Sequence, residues 1–434
     1  MLNKVSKLKS SAVKTVKKRQ AKRGNRYIVA LDIGTENVKA LVGRIVNDQI
    51  EIIGAGREHQ GLSDMQAGAI ADIAAVTENC NKALAKAEKQ AGVSARSVTI
   101  GIAGELVKGA TITVKVMRKD GKKPLEVAEV EKIIRLVQKR AFQKAKQQIT
   151  EELGGKEVDI RLVNSALVQM EIDGYSVTNP VGFQGKEVKV QLYTAFAPMI
   201  HIGALEQVAQ QLDMDLLAVA AEPFAVARSV TGDSDDSSLS AILMDVGGGT
   251  TDIAVLNEGG VQGTKMFGIG GRAFTRGIER SLSIEFGSAE KLKVSLTKGR
   301  DIIPKNKLTE IEEAVARTTK VWRSGIELSL SEFNTLEHLP HQILMCGGGA
   351  SLDEITKELE GSDWYRSLPF ARKPSVRFIT PETVVGIVDK TDDVAGHTFI
   401  TAIGLLRVGL DTVAQVGDTD DDGVSGKINR LLRI

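Results

Sequence analysis

A chain of 434 residues with 42% apolar composition can bury more than one core and is too long for a single compact domain, so two lobes or more are expected. A formal charge of +2 with 26% charged residues carries no global polyanion signature, and no nucleic-acid partner is expected. The two cysteines, Cys80 and Cys346, supply neither a disulfide framework nor four metal ligands. That cysteine usage favours a reducing cytoplasm, and without an apolar run of about 18 residues or a secretory signal the chain is expected neither to span a membrane nor to be exported, with peripheral attachment left open.

Residues 1–26 carry ten Lys or Arg and no acid. Such an arm is either a solvated tail or a basic segment drawn to anionic lipid, at about 1 kcal/mol per charge. From Tyr27, "YIVALDIGTENVKALVGRI" reads as a strand, a polar turn centred on Gly34 and a second strand ending near Ile45. A third strand, "IEIIGAGREHQ", leads to an Ala- and Lys-rich helix over Asp72 to Ala91.

After a strand at Val98 to Ile102 the rhythm changes: a strand around Thr111 to Met117, a charged helix from Glu126 to about Gln148, and strands near Leu162 to Ile172. These features define an inserted subdomain over 105–186 within a first lobe of 27–104 and 187–236. The strand Val188 to Ala197 and the helix Ile202 to Leu212 are assigned to that lobe's core. "DLLAVAAEPFAVARSV" adds a strand and a helix with Pro223 in its first turn, where a missing N–H costs little.

The polar, acidic tract Thr231 to Ser240 marks the lobe boundary. Beyond it "LMDVGGGTTDIAVL" repeats the plan of "ALDIGTENVKALV": apolar run, Asp, aliphatic residue, Gly, polar turn, returning strand. This is an internal duplication. The second lobe is read as core over 237–273 and 333–394, with an outer subdomain of helices over 274–332. Its "QILMC" strand runs into Gly347, Gly348 and Gly349 and a helix capped by Ser351 or Asp353. A small-residue helix over 395–412, assigned to the first lobe, precedes an acidic linker and a short amphipathic tail over 413–434. In the tail Ile428, Leu431, Leu432 and Ile434 are apolar and Lys427, Arg430 and Arg433 basic; it is short for an interfacial helix.

A phosphate chain needs many close donors, and backbone N–H groups supply them where glycine leaves the approach clear. Gly247, Gly248 and Gly249 meet that need, Thr250 and Thr251 add hydroxyls, and Asp245 and Asp252 would act through a hydrated Mg²⁺. The same logic applies to Asp32, Gly34, Thr35, Glu36 and Asn37. No GxxxxGK[ST] run occurs, and strands follow both turns, so neither is a P-loop. Each turn alone also reads as an ordinary hairpin, and the third glycine cluster as a strand-to-helix turn.

Together, "LDIGTENVKALV", "MDVGGGTTDIAVL" and "CGGGA" resemble the nucleotide site of the actin, Hsp70 and sugar-kinase superfamily. Within it "YSVTNPVGFQG", "AAEPFAVA", "GIGGRAFTRGI" and "SAEKLKV" resemble the FtsA family, from about Tyr27 to Leu410. The resemblance implies a two-lobed α/β actin-like ATPase fold with duplicated ribonuclease-H-like lobes and an inserted α+β subdomain. It implies ATP and Mg²⁺ as cofactors, with Asp32 and Asp245 holding the metal through water and Lys39 on the phosphates. Glu222 would polarise the attacking water in a slow ATPase, although it also suits a helix first turn. Glu290 and Lys293 would contact the ribose, unless they are an ordinary i,i+3 pair. Gly270, Gly271 and Gly347 to Ala350 would complete the nucleotide site.

Implied partners are FtsZ, docked on the outer subdomain of the second lobe, further copies in a filament, later division proteins and anionic inner-leaflet lipid. The expected place is the cytoplasmic face of the membrane at the division site. A PilM-type pilus-assembly protein and a small-molecule kinase of the same superfamily are the alternatives.

Overall fold

The computed structural model describes residues 27–417 apart from 48, 232–237, 299–302, 304 and 362. The basic arm and the membrane candidates Lys427, Ile428, Arg430, Leu431, Leu432, Arg433 and Ile434 lie outside the described residues.

Strands β1 (Tyr27–Ile33) and β2 (Asn37–Val46) form the first hairpin, with Asp32 paired opposite Lys39. β1 is buried on both faces, as its unbroken apolar run requires. β3 (Gln49–His59) alternates buried and exposed positions, the signature of a strand with one covered face. That face packs against α1 (Ile73–Ala91), whose Asp72 side chain accepts from the Ala74 and Ala75 amides and whose end is turned by Gly92 at φ 66°.

β4 (Ser97–Ile102) pairs in parallel with β1. The chain then leaves for the insert: β5 (Lys108–Met117), α2 (Val127–Glu152), β6 (Ile160–Ile172) and β7 (Glu187–Pro198). It returns through α3 (Met199–Gln211), β8 (Asp215–Ala221) and α4 (Glu222–Thr231).

The second lobe repeats the order with β9 (Ala241–Val246), β10 (Thr251–Asn257) and β11 (Gly260–Phe267), then helices α5 (Gly271–Leu282), α6 (Phe286–Lys298) and α7 (Lys305–Ser331). β12 (Gln342–Cys346), α8 (Asp353–Gly361) and β13 (Ser375–Phe378) finish it, after which β14 (Ile387–Asp389) and α9 (Ile400–Gly417) return to the first lobe.

The duplication is explicit in strand order. The first sheet runs β8-β4-β1-β2-β3-β14, and the second begins β13-β12-β9-β10-β11, the same sequence of equivalent strands. One apolar core fills the first lobe and continues onto one face of the second lobe's sheet, a second covers the other face of that sheet, and a third lies in the insert. α4 and α9 pack on one another, and between them they contact strands of both lobes.

Three expected boundaries move. β7, assigned from sequence to the first lobe's core after residue 186, pairs along its length with β5 and β6 and therefore belongs to the insert. Its sheet also joins the second lobe, because β5 pairs with β11 through Gly109, Ala110, Gly263 and Thr264. β14, expected in the second lobe, pairs in parallel with β3 of the first. The last helix spans 400–417, not 395–412, after a turn of 3-10 helix at Gly396–Phe399.

Candidate functional site

The two hairpin turns face each other across one cavity of about 300 Å³. From the first lobe Asp32, Gly34, Thr35, Glu36, Asn37, Lys39 and Glu222 line it; from the second come Asp245, Gly247, Gly248, Gly249, Thr250, Asp252, Gly271, Glu290, Lys293, Gly347, Gly348 and Gly349. The turns touch. A Cβ on Gly248 would stand 2.7 Å from Glu36 Cβ, and one on Gly249 2.5 Å from Thr35 Oγ1, so only glycine permits this approach.

Three expected site residues do not line the cavity. Thr251 is buried, donating to the Ile269 carbonyl at 2.7 Å and accepting from Trp322 Nε1 at 2.9 Å, because alternation along β10 turns it away from Thr250 and Asp252. Gly270 packs beneath the turn, where a Cβ would meet Gly247 O at 2.7 Å, and Ala350 is buried under the third glycine cluster. Neither proposed cap acts as one: Ser351 hydrogen-bonds His397 Nε2 at 3.0 Å, and Asp353 is already helical.

Charge is unevenly distributed in the cleft. Glu36 pairs with Arg272 at 2.8 Å, and Glu290 with Lys293 at 2.8 Å, so these two carboxylates are compensated. Lys293 also donates to Gly271 O at 3.1 Å and Thr275 Oγ1 at 3.0 Å. Asp32, Glu222, Asp245 and Asp252, none more than 8% exposed, share Lys39, whose Nζ is 2.8 Å from Asp32 Oδ2. The hairpins explain the imbalance: Lys39 lies opposite Asp32, whereas the matching place opposite Asp245 is occupied by Asp252.

The proton affinities follow. Burial first, then Asp32, Asp252 and Asp245, push Glu222 well above the usual carboxylate range. Burial and Asp245 do the same to Asp252, and burial raises Asp245 even though the Thr401 hydroxyl donates to it. Burial pulls Lys39 down, but Asp32, Asp245 and Glu222 together outweigh it and raise its affinity. Asp252 Oδ1 is buried without a hydrogen-bond partner. A cluster of this kind fits a cation that brings its own water donors, beside a glycine cradle fitted to an anion.

Arg57, Arg272, Ser351 and Thr398 also line the cavity and are not expected there from the sequence, which offers Ser351 only as a cap. Arg272 and Ser351 have a local signal, the first directly following Gly270 and Gly271 at a helix start and the second closing the turn that begins at Gly348. Arg57 and Thr398 reach the cleft through tertiary packing.

Comparison with known proteins gives one consistent family. The family model for the cell division protein FtsA matches residues 242–404. The FtsA of Pseudomonas aeruginosa is 25% identical over 404 residues, covering 89% of each chain. That of Neisseria meningitidis serogroup B is 26% identical over 433 residues, covering 94% of this chain and 97% of the relative. Among solved structures, a PilM–PilN type IV pilus biogenesis complex superposes with a TM-score of 0.62 at 16% identity, over 88% of this chain and 98% of that one. The last similarity is one of fold, and the fold is the two-lobed actin-like one.

Proposed function

We propose that this chain, similar along most of its length to FtsA cell division proteins, is an ATP-binding adaptor of that family that polymerises on the cytoplasmic face of the membrane, tethers FtsZ filaments and recruits later division proteins. The observation that carries this reading is the convergence of Asp32 and Asp245, from hairpins in separate lobes, on one glycine-lined cavity.

In this reading the backbone amides of Gly34 and of Gly247 to Gly249, with the Thr35 and Thr250 hydroxyls, cradle the phosphates. Bound Mg²⁺ supplies counter-charge to the phosphates and to the acidic cluster. Asp32 and Asp245 are the residues that would hold it, through water, since no group of three His, Cys, Asp or Glu among the described residues is arranged for direct ligation. Gly347 to Gly349 would face the adenosine, and Glu290 and Lys293 the ribose. Glu222 has the raised proton affinity suited to polarising an attacking water, and its burial limits how readily it ionises, in keeping with slow turnover.

No helix among the described residues is long and apolar enough to cross a membrane. Attachment is assigned to the tail over 427–434, reinforced by the basic arm. Tyr27 and Val413 pack against the same apolar core, so both attachment signals would act from one lobe.

The decisive experiment is titration with a fluorescent ATP analogue in Mg²⁺ and in EDTA, alongside negative-stain imaging with FtsZ on an anionic lipid monolayer. Binding that needs Mg²⁺ and weakens at least about tenfold in Asp245→Asn is expected, with ATP-dependent filaments on the monolayer. Affinity unaffected by Asp245→Asn, or a monolayer bare in the presence of ATP, would overturn the proposal.

A further inference from the structure

Arg272 joins the two glycine turns through its two ends. Its backbone amide donates to Gly248 O at 2.7 Å, which seats the start of α5 on the second lobe's turn. Its side chain crosses to the first lobe, where Nε donates to Glu36 Oε2 at 2.8 Å and the two terminal nitrogens reach Leu62 O and Gly61 O, each at 3.4 Å. The loop it reaches is braced: Asp64 accepts from the Gly61 amide at 2.7 Å and from Asn79 at 2.9 Å.

The pair is largely withdrawn from water, with side-chain exposures of 14% for Arg272 and 22% for Glu36. It is therefore screened less than a surface ion pair. Both residues also line the cavity. The turns cannot part without breaking this contact, so any ligand exit that requires them to part must break it. Glu36 by itself would repel a phosphate-bearing ligand, and Arg272 cancels that charge.

We propose that Arg272 and Glu36 form an interlobe latch that sets how fast ligand escapes from the cleft. The ligand's identity rests on the nucleotide reading above; the latch itself does not. Arg272 is here a positioning residue that acts through the geometry of both turns.

The test uses Arg272→Ala, Glu36→Gln and the swapped pair Glu36→Arg with Arg272→Glu in the full chain. Two quantities are read: the dissociation rate of mant-ATP with Mg²⁺ in a stopped-flow chase, and amide hydrogen exchange of both glycine turns in ligand-free protein. Each single change is expected to raise dissociation about tenfold, the scale of one charge-assisted contact, and to speed exchange; the swapped pair should recover part of both, since a carboxylate at 272 restores the ion pair but cannot donate to Gly61 O and Leu62 O. Exchange unchanged in the single variants, or a swapped pair no better than either of them, overturns the latch. If the parent protein binds no mant-ATP the nucleotide reading falls, and exchange in ligand-free protein still decides the latch.

Discussion

Asp252 is the residue at which the electrostatic conflict of the cleft concentrates. It stands opposite Asp245 on the neighbouring strand, and one of its oxygens is buried without a partner. An unfolded chain lets this carboxyl ionise near pH ~4, whereas the folded one retains the proton to higher pH because burial and Asp245 oppose the charge. As pH rises above about 4 the unfolded state therefore releases its proton first, and the stability fully present at acid pH is lost as neutrality approaches. Glu222 and Asp245 are shifted in the same direction and add to the slope. Asp252→Asn keeps the shape and removes the charge. Ligand-free protein carrying it should melt higher than the parent at pH ~8, by the equivalent of about 1–2 kcal/mol, with the difference shrinking toward pH ~5. Thermal melts across that range would measure it, and parallel curves for the two proteins would refute the assignment. That Lys39 and Asp252 each follow their motif's aspartate by seven residues is visible in the sequence, but the mismatch between them acquires meaning only when the two hairpins share a cavity.

At the scale of elements, the seam between the insert and the second lobe depends on a missing side chain. β5 lies against β11 where a Cβ on Gly109 would meet Thr264 Oγ1 at 2.0 Å and Tyr193 Oη at 2.5 Å. Those two hydroxyls are themselves bonded at 3.1 Å in the interior. Gly109→Val should force them apart at a cost of about 2–3 kcal/mol, typical of overpacking with a lost buried hydrogen bond. Chemical denaturation would register the loss, and hydrogen exchange should localise it to β5 and β11; full stability would contradict the seam. This seam was not legible beforehand. Local patterns give the Asp–Gly hairpins, the α1 stripe with its Asp72 cap and the apolar run of β12, because each is decided by near neighbours along the chain. Strand partners are decided elsewhere. The alternation in β7 suits any half-buried strand, so nothing in Glu187–Pro198 announces that it pairs with β5 and β6, just as Ile387–Asp389 does not announce β3. The same limit explains Arg57 and Thr398, which the fold brings to the cleft from distant segments.

At the scale of the whole molecule, α4 and α9 are the pieces through which the halves share the cleft. α4 opens with Glu222, and α9 sends the Thr401 hydroxyl to Asp245 in the opposite lobe. The helices meet most closely at Gly404, where a Cβ would stand 2.2 Å from the Ala225 carbonyl oxygen. A backbone carbonyl cannot swing aside as a side chain can, so even alanine must push the helices apart. Arg228 of α4 and Arg407 of α9 both bond Asp411, at 2.8 Å and 3.1 Å, so the displacement is resisted at the far end of the crossing and concentrated toward the cleft. Gly404→Ala is therefore expected to cost about 1–3 kcal/mol in stability and, by shifting Glu222 relative to Asp245, to weaken Mg²⁺-dependent ATP-analogue binding about tenfold. Alanine propensity alone would act the other way, raising stability by up to about 1 kcal/mol in a helix interior. The two effects have opposite signs, so one melt decides which governs. A stabilised variant with unchanged affinity would mean that the crossing is loose and that α4 and α9 do not couple the lobes.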